Sequence, residues 1–345
     1  MVDKFFIFEQ KKALTKDFIE KAFQTFHHQR ILIIGDVMID SYLWGKVDRI
    51  SPEAPVPIVT GIRKEKRLGG AANVALNIAA LGAKPIICSV TGDDDDALII
   101  THLMEKSAID ASGLVADKGR PTTVKTRIIS ANQHLMRIDE EVSTAVDIAT
   151  EQKMYAFVEN SIVIKGVDAI IFEDYDKGCL TPSFIQKVIA KAQTASIPVL
   201  VDPKKRNYNS YQGATLFKPN FKEFCEGVKA DIGKTDFATI YSFAEEFRSI
   251  MNFDCLMVTM AENGILVCTK DGCTRSEVVD KIDIADVSGA GDTVISVVAC
   301  CMAAGISPVD VAILANLAGG QVCEKPGVVP VDKHALLKRY ETLFC

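Results

Sequence analysis

Short apolar runs alternate along most of the chain with segments whose apolar residues recur at helical spacing. The runs predict strands buried on both faces, as in parallel sheets, and they cover residues 31–34, 85–90, 169–172, 198–201 and 255–258. Helical spacing precedes or separates these runs, at 14–26, 74–81, 151–164, 182–195 and 238–251. This alternation predicts an α/β fold with a doubly wound, mostly parallel sheet, whose ligands meet the carboxyl ends of the strands.

Two β-rich patches interrupt the alternation, at about 41–66 and 119–139. The first holds three prolines, Pro52, Pro55 and Pro57, which predict short, interrupted strands at sheet edges. Together the patches predict a small separate sheet that covers the site as a lid. Near the other end of the chain, a turn at 270–272 predicts a hairpin between strands at 264–268 and 273–279.

Polar residues follow nearly every predicted strand, so side chains from many strands should meet at one edge of the sheet. Asp36 and Asp40 follow the first strand and are candidates for binding a polar substrate, although either residue could instead only solvate a turn. Lys177 and Lys204 follow later strands and are candidates for contacting an anion.

A Gly-rich turn at 286–291 leads into an apolar run at 294–304 that predicts a buried helix. Small residues before a helix let backbone N–H groups surround an anion, and the helix dipole adds positive charge there. Asp292 would then place a carboxylate at this pocket, as expected if a hydroxyl loses a proton while a phosphoryl group arrives. By spacing alone, a turn whose aspartate caps the helix is an equal alternative.

A second glycine pair, Gly69-Gly70, precedes the helical segment at 74–81. The pair lets the backbone approach a ligand closely, and Asn73 offers both a donor and an acceptor. Alone, this pattern is weak evidence for a site.

Composition and missing motifs narrow the function. A net charge of −6 argues against a general nucleic-acid binder, and no apolar run is long enough to span a membrane. The ten cysteines include no CxxC pair, which disfavours a zinc site and suits a reducing cytoplasm better than a disulfide framework. No GxxxxGK[ST] sequence occurs, and no GxGxxG follows the first strand, which excludes P-loop enzymes and Rossmann dehydrogenases.

These blocks resemble the ribokinase-like carbohydrate kinases over about residues 30–330. The block from Gly69 to Asn73 looks like the first signature of the family and the block from Asp286 to Ser296 like the second. Asn220 with Glu223, and Thr259 with Gly264, look like its intermediate markers. The chain departs from the family where Ala261 replaces the usual glycine and Val297 a small residue.

The resemblance implies an αβα sandwich with a β-sheet lid, formed by a single domain over 1–345. It implies that Asp292 removes the proton from a sugar hydroxyl while the N–H groups of Gly289, Ala290 and Gly291 stabilise the transferring phosphoryl group. It also implies ATP and Mg²⁺ as cofactors and leaves a monovalent cation near Asp286 open.

Within this family, the residues most resemble the kinases that phosphorylate the anomeric hydroxyl of D-glycero-D-manno-heptose 7-phosphate. The supporting blocks lie at 35–40, 49–57, 125–140 and 286–295. The implied products are heptose 1,7-bisphosphate and ADP, on the route to ADP-heptose and the lipopolysaccharide core. Because no second α/β unit follows, a stand-alone kinase is expected. Another sugar kinase of the family, for ribose or fructose, remains an alternative, as does a non-catalytic ligand-binding protein.

The resemblance also distributes the remaining site residues. The sugar phosphate requires cations, and the implied substrate-binding residues are Asp36, Asp40, Arg49, Gly69, Gly70, Asn73, Lys125, Arg127, Arg137 and Lys177. The implied ATP-binding residues are Asn220, Glu223, Thr259, Gly264 and Asn316, of which Asn220 and Glu223 would hold Mg²⁺ through water. Lid sheets of this family often pair between subunits, so a homodimer is expected, with no nucleic acid or membrane as a partner.

Overall fold

The computed structural model describes residues 14–131, 133–278, 280 and 282–345. Its strands are β1 (Arg30–Gly35), β2 (Val37–Ile50), β3 (Pro57–Gly70), β4 (Lys84–Thr91), β5 (Leu114–Ala116), β6 (Val124–Ser130), β7 (Gln133–Glu140), β8 (Ala169–Glu173), β9 (Val199–Asp202), β10 (Leu216–Phe217), β11 (Cys255–Thr259), β12 (Ile265–Thr269) and β13 (Gly272–Ser276). Its helices are α1 (Lys16–Thr25), α2 (Ala71–Leu81), α3 (Asp95–Lys106), α4 (Ile148–Asn160), α5 (Pro182–Thr194), α6 (Phe221–Val228), α7 (Phe237–Ile250), α8 (Ala290–Ala303), α9 (Pro308–Cys323) and α10 (Lys333–Phe344).

The main sheet has the strand order β13-β12-β11-β10-β9-β8-β1-β4-β5. Strands from β11 to β5 are parallel, whereas β12 and β13 add an antiparallel edge. The chain places β4 on one side of β1 and β8 on the other, so the strand order reverses at β1. Ligands of doubly wound sheets bind at such a switch point, outside the carboxyl ends of the strands.

Helices cover both faces of this sheet. Alternate residues of β1 enter different cores, Ile31 and Ile33 on one face and Leu32 and Ile34 on the other. Helices α1, α2, α3, α8, α9 and α10 contribute to the first core, and α4, α5, α6 and α7 to the second. The continuous apolar runs predicted this layering because both sides of each strand are buried.

Helix α8 is buried along most of its length, which explains why its sequence is apolar all round. It packs against α2, where hydroxyls meet polar groups of the neighbouring helix: Ser296 Oγ donates to the Val74 carbonyl at 3.3 Å and Thr293 Oγ1 to Asn77 Oδ1 at 3.1 Å. These contacts fix the start of α8 relative to the Gly69-Gly70 segment.

The second sheet has the order β3-β2-β6-β7, with β2 and β6 parallel and the other neighbours antiparallel. The prediction of short, interrupted strands is wrong, since β2 and β3 each contain 14 residues. Two prolines lie in the connection at 51–56, and Pro57 begins β3, where a missing N–H does not interrupt the ladder. The lid therefore extends to Val37 and Gly70, beyond its predicted limits.

Two further features complete the fold. Cys268 and Cys273, opposite each other in the β12–β13 hairpin, form a disulfide, and the other eight cysteines are free. This local crosslink departs from the expected set of free thiols but does not form a framework. In the part of the chain that the structure describes, no helix has both the length and the apolar character needed to cross a bilayer.

Candidate active site

The turn before α8 is shaped by a glycine. Gly289 is the N-cap residue, with φ of +79°, and a Cβ at this position would lie 2.9 Å from Asn73 Nδ2. Only glycine adopts this backbone without strain and leaves room for the amide. The N–H groups of the first helical turn have no intrahelical acceptor; that of Ala290 donates over 3.4 Å to the Val287 carbonyl, and the others remain available to an anion.

Asp292 lies in that first turn but does not cap the helix. Its Oδ2 accepts a 2.7 Å hydrogen bond from Asn73 Nδ2, and its Oδ1 accepts a 2.8 Å bond from the Tyr175 hydroxyl. The capped-turn alternative is therefore wrong, because both carboxylate oxygens face residues from other elements. Burial raises the pKa of Asp292 to about 6, although the bonds from Asn73 and Tyr175 lower it in part. The group is thus a stronger base than an exposed aspartate.

A cavity of about 260 Å³ opens beside this carboxylate at the strand ends. It gathers residues from β8, β9 and β11, from the loops after β8, β9 and β10, from the start of α6, and from the turn and first residues of α8. Its lining comprises Glu173, Tyr175, Asp202, Lys204, Lys218, Asn220, Glu223, Thr259, Val287, Gly289, Gly291 and Asp292. The structure therefore brings together residues predicted for catalysis and for nucleotide binding, although their separate roles stay predictions.

The base of this cavity is a buried cluster of three carboxylates and one ammonium. Oxygens of Glu173, Asp202 and Asp292 lie within 4.8 Å of one another, and Lys218 Nζ is 2.8 Å from Asp202 Oδ2. Burial, reinforced by the charges of Asp202 and Asp292, raises the pKa of Glu173 well above its usual range. Burial lowers the pKa of Lys218, but Asp202 outweighs it and the pKa is raised. The cavity thus combines hard oxygen donors with a buried positive charge.

Asn220 and Glu223 form a capping box at the start of α6. Asn220 Oδ1 accepts from the Glu223 N–H at 2.9 Å, and Glu223 Oε2 accepts from the Asn220 N–H at 2.9 Å. The other carboxylate oxygen of Glu223 pairs with Lys204. Because these oxygens are engaged, the pair fits Mg²⁺ held through water better than direct ligation. Glu173 Oε2, by contrast, is buried with no hydrogen-bond partner among the described residues.

The other residues predicted for nucleotide binding lie at two places. Thr259 lines the cavity, and its backbone forms an isolated parallel β-bridge with that of Asn220. Gly264 and Asn316 instead meet at the end of β13, where Asn316 Nδ2 donates to the Ser276 carbonyl at 3.0 Å and a Cβ on Gly264 would collide with that carbonyl.

Ala261 has φ of +49°, a conformation that glycine adopts more easily. This backbone angle accounts physically for the glycine that is usual at the same position.

The predicted sugar-binding residues Asp36 and Asp40 lie where the lid joins the main sheet. The Asp36 carboxylate accepts backbone N–H groups of Tyr175, Lys177 and Cys179 at 2.9, 3.2 and 3.2 Å. Burial, reinforced by the charge of Asp174, raises the pKa of Asp36 to about 6. Asp36 thus anchors the loop that carries Tyr175, and its carboxylate already has three donors.

Asp40 lies within lid strand β2, rather than at the end of a main-sheet strand as predicted. Its carboxylate pairs with Arg127 from β6 and covers Gly69, where a Cβ would collide with Asp40 Oδ2. A Cβ on Gly70, whose φ is +57°, would collide with the Asp36 carbonyl. Both glycines are therefore required by close approach of β2 and β3 beside the site.

The predicted phosphate-binding cations divide into two groups. Lys125 Nζ and Lys177 Nζ converge on Glu141, at 3.0 and 2.7 Å from its two carboxylate oxygens. Arg137 is 56% exposed on β7 and pairs with Asp139 at 2.8 Å. Arg49 is exposed near the far end of β2, roughly 40 Å along the strand from Asp36. Because β2 is long, Arg49 lies far from the predicted sugar-binding residue Asp36 of its own chain.

Five residues of this region received no role from the sequence: Glu173, Tyr175, Asp202, Lys218 and Glu141. The first four follow apolar strands, so their position at the strand ends was visible as a signal. Their pairing with Asp292 and with each other was not, because it depends on tertiary contacts. Glu141 follows the lid and carried no pattern of its own.

The fold and the site define a phosphotransferase that acts on a sugar hydroxyl. The sequence profile described as "pfkB family carbohydrate kinase" matches residues 28–334. The chain belongs to this family, and the predicted resemblance to ribokinase-like kinases is confirmed. Kinases of this family use ATP and Mg²⁺.

The chain is also similar to individual curated members of the family. The chain is 37% identical over 318 residues to the bifunctional protein HldE of Trichlorobacter lovleyi, covering 92% of this chain and 64% of that protein. It is 40% identical over 306 residues to the bifunctional protein HldE of Methylobacillus flagellatus, covering 89% and 62%. The chain thus spans less than two thirds of the length of these relatives.

Solved structures share the fold at low sequence identity. Phosphofructokinase-2 from Escherichia coli, in complex with potassium, matches with a TM-score of 0.75 and 17% identity, covering 91% of this chain and 99% of that one. Ribokinase of Arabidopsis thaliana, complexed with ribose and ATP, matches with a TM-score of 0.69 and 16% identity, covering 90% and 98%. These similarities confirm the predicted ribokinase-like α/β fold with a large, mostly parallel sheet and a small second sheet.

Proposed function

We propose that the chain is the kinase that transfers the γ-phosphoryl group of ATP to the anomeric hydroxyl of D-glycero-D-manno-heptose 7-phosphate. The products are heptose 1,7-bisphosphate and ADP, for ADP-heptose and lipopolysaccharide core synthesis in the cytoplasm. The observation that carries the phosphoryl-transfer chemistry is the buried Asp292 carboxylate beside the first turn of α8. The similarity to the HldE proteins supports the choice of sugar.

Asp292 acts as the base for the sugar hydroxyl. Asn73 and Tyr175 hold its two oxygens by hydrogen bonds, which fixes the direction from which a hydroxyl can approach. The raised pKa of Asp292, about 6, makes it a better proton acceptor and still leaves it mostly ionised near pH 7. The N–H groups of Gly289, Ala290 and Gly291 stabilise the charge on the transferring group.

The nucleotide occupies the cavity side of Asp292. Lys218 and Lys204 provide positive charge for the phosphates, and Thr259 lies on the same wall. Asn220 and Glu223 would hold Mg²⁺ through water, and the ion would supply positive charge to the ATP phosphates. A monovalent cation near Asp286 remains an option, although that carboxylate already accepts N–H groups of Ser288 and Gly327, each at 2.9 Å.

Coupled measurement of ADP release tests the substrate directly. The full chain with MgATP is offered heptose 7-phosphate beside unphosphorylated heptose, ribose, fructose and fructose 6-phosphate. We expect the highest kcat/KM with heptose 7-phosphate and product phosphorylated at the anomeric position, read by ³¹P NMR. A clear preference for an unphosphorylated sugar would refute this substrate.

The second candidate is a ribose- or fructose-type kinase of the same family. One observation favours it: Arg127, Lys125 and Lys177 are each paired with a carboxylate of the protein, so a neutral sugar would leave none of these three cations unpaired. The same substrate panel distinguishes it, because this candidate predicts no advantage for phosphorylated acceptors.

We also propose a homodimer formed through the lid. Exposed apolar side chains occur on the strands of the lid and on their connection: Ile50, Val56, Ile62, Leu135, Met136 and Ile138. Water-exposed apolar surface of this kind favours association. Light scattering should give twice the mass of one chain. A mass of one chain at all concentrations would exclude the dimer.

A further inference from the structure

Two lysines from separate elements, Lys125 and Lys177, bind the Glu141 carboxylate beside the lid. Lys125 lies on β6, and Lys177 lies in the loop after β8. Lys125 Nζ is 3.0 Å from Glu141 Oε2, and Lys177 Nζ is 2.7 Å from Glu141 Oε1. The side chains are only 13% and 17% exposed, so neither ammonium is an ordinary solvated surface charge. Each oxygen of one anionic group thus has its own cation.

This arrangement is linked to Asp292 and to the predicted sugar-binding residues Asp36 and Asp40. Lys177 is two residues after Tyr175, whose hydroxyl binds Asp292, and its N–H also binds Asp36. Lys125 is opposite Asp40 in the register of β6 and β2. The pair therefore connects the loop that carries Tyr175 with the lid, and neither lysine is among the residues that line the nucleotide cavity.

We propose that Lys125 and Lys177 form the binding site for a phosphate ester on the acceptor sugar, and that Glu141 is an internal counter-anion which this phosphate displaces. A phosphate presents two oxygens to two cations as the carboxylate does, and it brings more negative charge. Without sugar, Glu141 keeps the two partly buried ammoniums paired. The inference depends on the proposed function only for which sugar carries the phosphate.

The surroundings of Glu141 permit such an exchange. It directly follows β7 and begins the segment 141–147, which contains no helix or strand. Its side chain is 24% exposed, so it can turn towards water. Burial raises the pKa of Glu141, but the bonds from Lys177 and Lys125 outweigh it and the pKa is lowered. The carboxylate is therefore charged near neutral pH and competes with any incoming anion.

One further carboxylate faces the pair. Asp139 Oδ2 is 3.5 Å from Lys125 Nζ, but Asp139 also binds Arg137 at 2.8 Å. Because Arg137 shares the charge of Asp139, removing Glu141 leaves the two lysines with excess positive charge. The variant Glu141→Gln should therefore bind anions more tightly, whereas a carboxylate that merely orients the lysines would give weaker binding on removal.

Calorimetric titration with inorganic phosphate tests this displacement. The full chain is first saturated with Mg²⁺ and a non-hydrolysable ATP analogue, so that phosphate cannot enter the nucleotide cavity. We expect Glu141→Gln to bind phosphate about tenfold more tightly or better, and Lys125→Met or Lys177→Met about tenfold more weakly or worse. Equal or weaker binding by Glu141→Gln would overturn the proposal.

The matched control is Glu159→Gln, which removes the partner of Lys191 at 2.8 Å on the helical surface. It should bind phosphate as the wild type does. If a lysine variant does not fold, as thermal melting would show, Glu141→Gln alone decides the question.

Kinetics then separate this inference from the proposed function. If phosphate binds through the lysine pair but heptose 7-phosphate is not phosphorylated, the anion site stands and the proposed sugar is wrong. If heptose 7-phosphate is phosphorylated with a KM that Glu141→Gln and both lysine variants leave unchanged, the proposed function stands and this site is wrong. An increase in KM for heptose 7-phosphate in the lysine variants, with the KM for ATP unchanged, supports both.

Discussion

Replacing Asp292 by Asn should inactivate the enzyme and change how its stability depends on pH. Loss of a general base typically lowers the rate by about 10²–10⁴. The folded-state pKa of Asp292 is raised from 3.8 to about 6 by burial, so ionisation favours the unfolded state. The stabilising effect of this raised pKa is fully present below pH 3.8 and is lost as the pH rises through about 6.

As the pH rises from below 3.8 to above 6, the unfolding free energy of the wild type should fall by about 3 kcal/mol relative to that of the variant. About 1.4 kcal/mol of this fall should occur between pH 5 and 8. Asn cannot accept from both Asn73 and Tyr175 in the present arrangement, which costs about 1–3 kcal/mol at every pH. The change with pH is thus more diagnostic than the absolute stability.

Urea denaturation of both proteins at pH 5, 6, 7 and 8 measures this difference, and coupled ADP release measures turnover. Asp147→Asn is the contrasting control, because backbone and side-chain bonds from Thr150 lower the pKa of Asp147 below 3.8, so its difference from the wild type should stay flat between pH 5 and 8. A difference between wild type and Asp292→Asn that is flat with pH would refute the raised pKa. Wild-type turnover in the variant would refute its role as the base.

Three further substitutions test the surroundings of this base. Tyr175→Phe removes a hydrogen bond that lowers the pKa of Asp292, the proposed base, so the acid limb of the kcat profile should move above pH 6 and kcat should fall by about tenfold; an unmoved limb would contradict this. Gly289→Ala places a Cβ 2.9 Å from Asn73 Nδ2 at a φ of +79°, so kcat should fall although no reacting group is lost, as steady-state assays would show. Lys218→Met leaves Asp202 unpaired in a buried site and should lower the unfolding free energy by about 3–5 kcal/mol in urea; a stability equal to that of the wild type would exclude a structural role for the pair.

Much of the fold was visible in the sequence because its strands are buried on both faces and its helices are amphipathic or small-residue segments. The run at 31–34 and the small residues at 71–75 specify their elements locally. The prediction of interrupted lid strands fails because the three prolines cluster in the connection and at the start of β3. Proline restricts only the residues beside it, and the long ladder between β2 and β3 continues on both sides.

The sequence predicts the candidate site only where its residues are close together along the chain. Gly289 and Asp292 stand close together in sequence, so their turn could be recognised as one unit. Tyr175 is 117 residues from Asp292, and Glu141 is 36 residues from Lys177, so these pairs become visible only when the strands are placed in order. Arg49 is the opposite case: its charge predicted a contact with the ligand, but the length of β2 places it far from Asp36 in its own chain.

The anchoring of residues 175–179 by Asp36 has a consequence for attempts to change the sugar that is accepted. Tyr175 binds Asp292, the proposed base, and Lys177 pairs with Glu141, while the backbone N–H groups of both residues donate to the Asp36 carboxylate. Substitutions in this loop should therefore trade turnover against selectivity, since neither can be altered without moving the other. Libraries that vary the lid strands β6 and β7, and leave this loop intact, offer the more independent route to new acceptors.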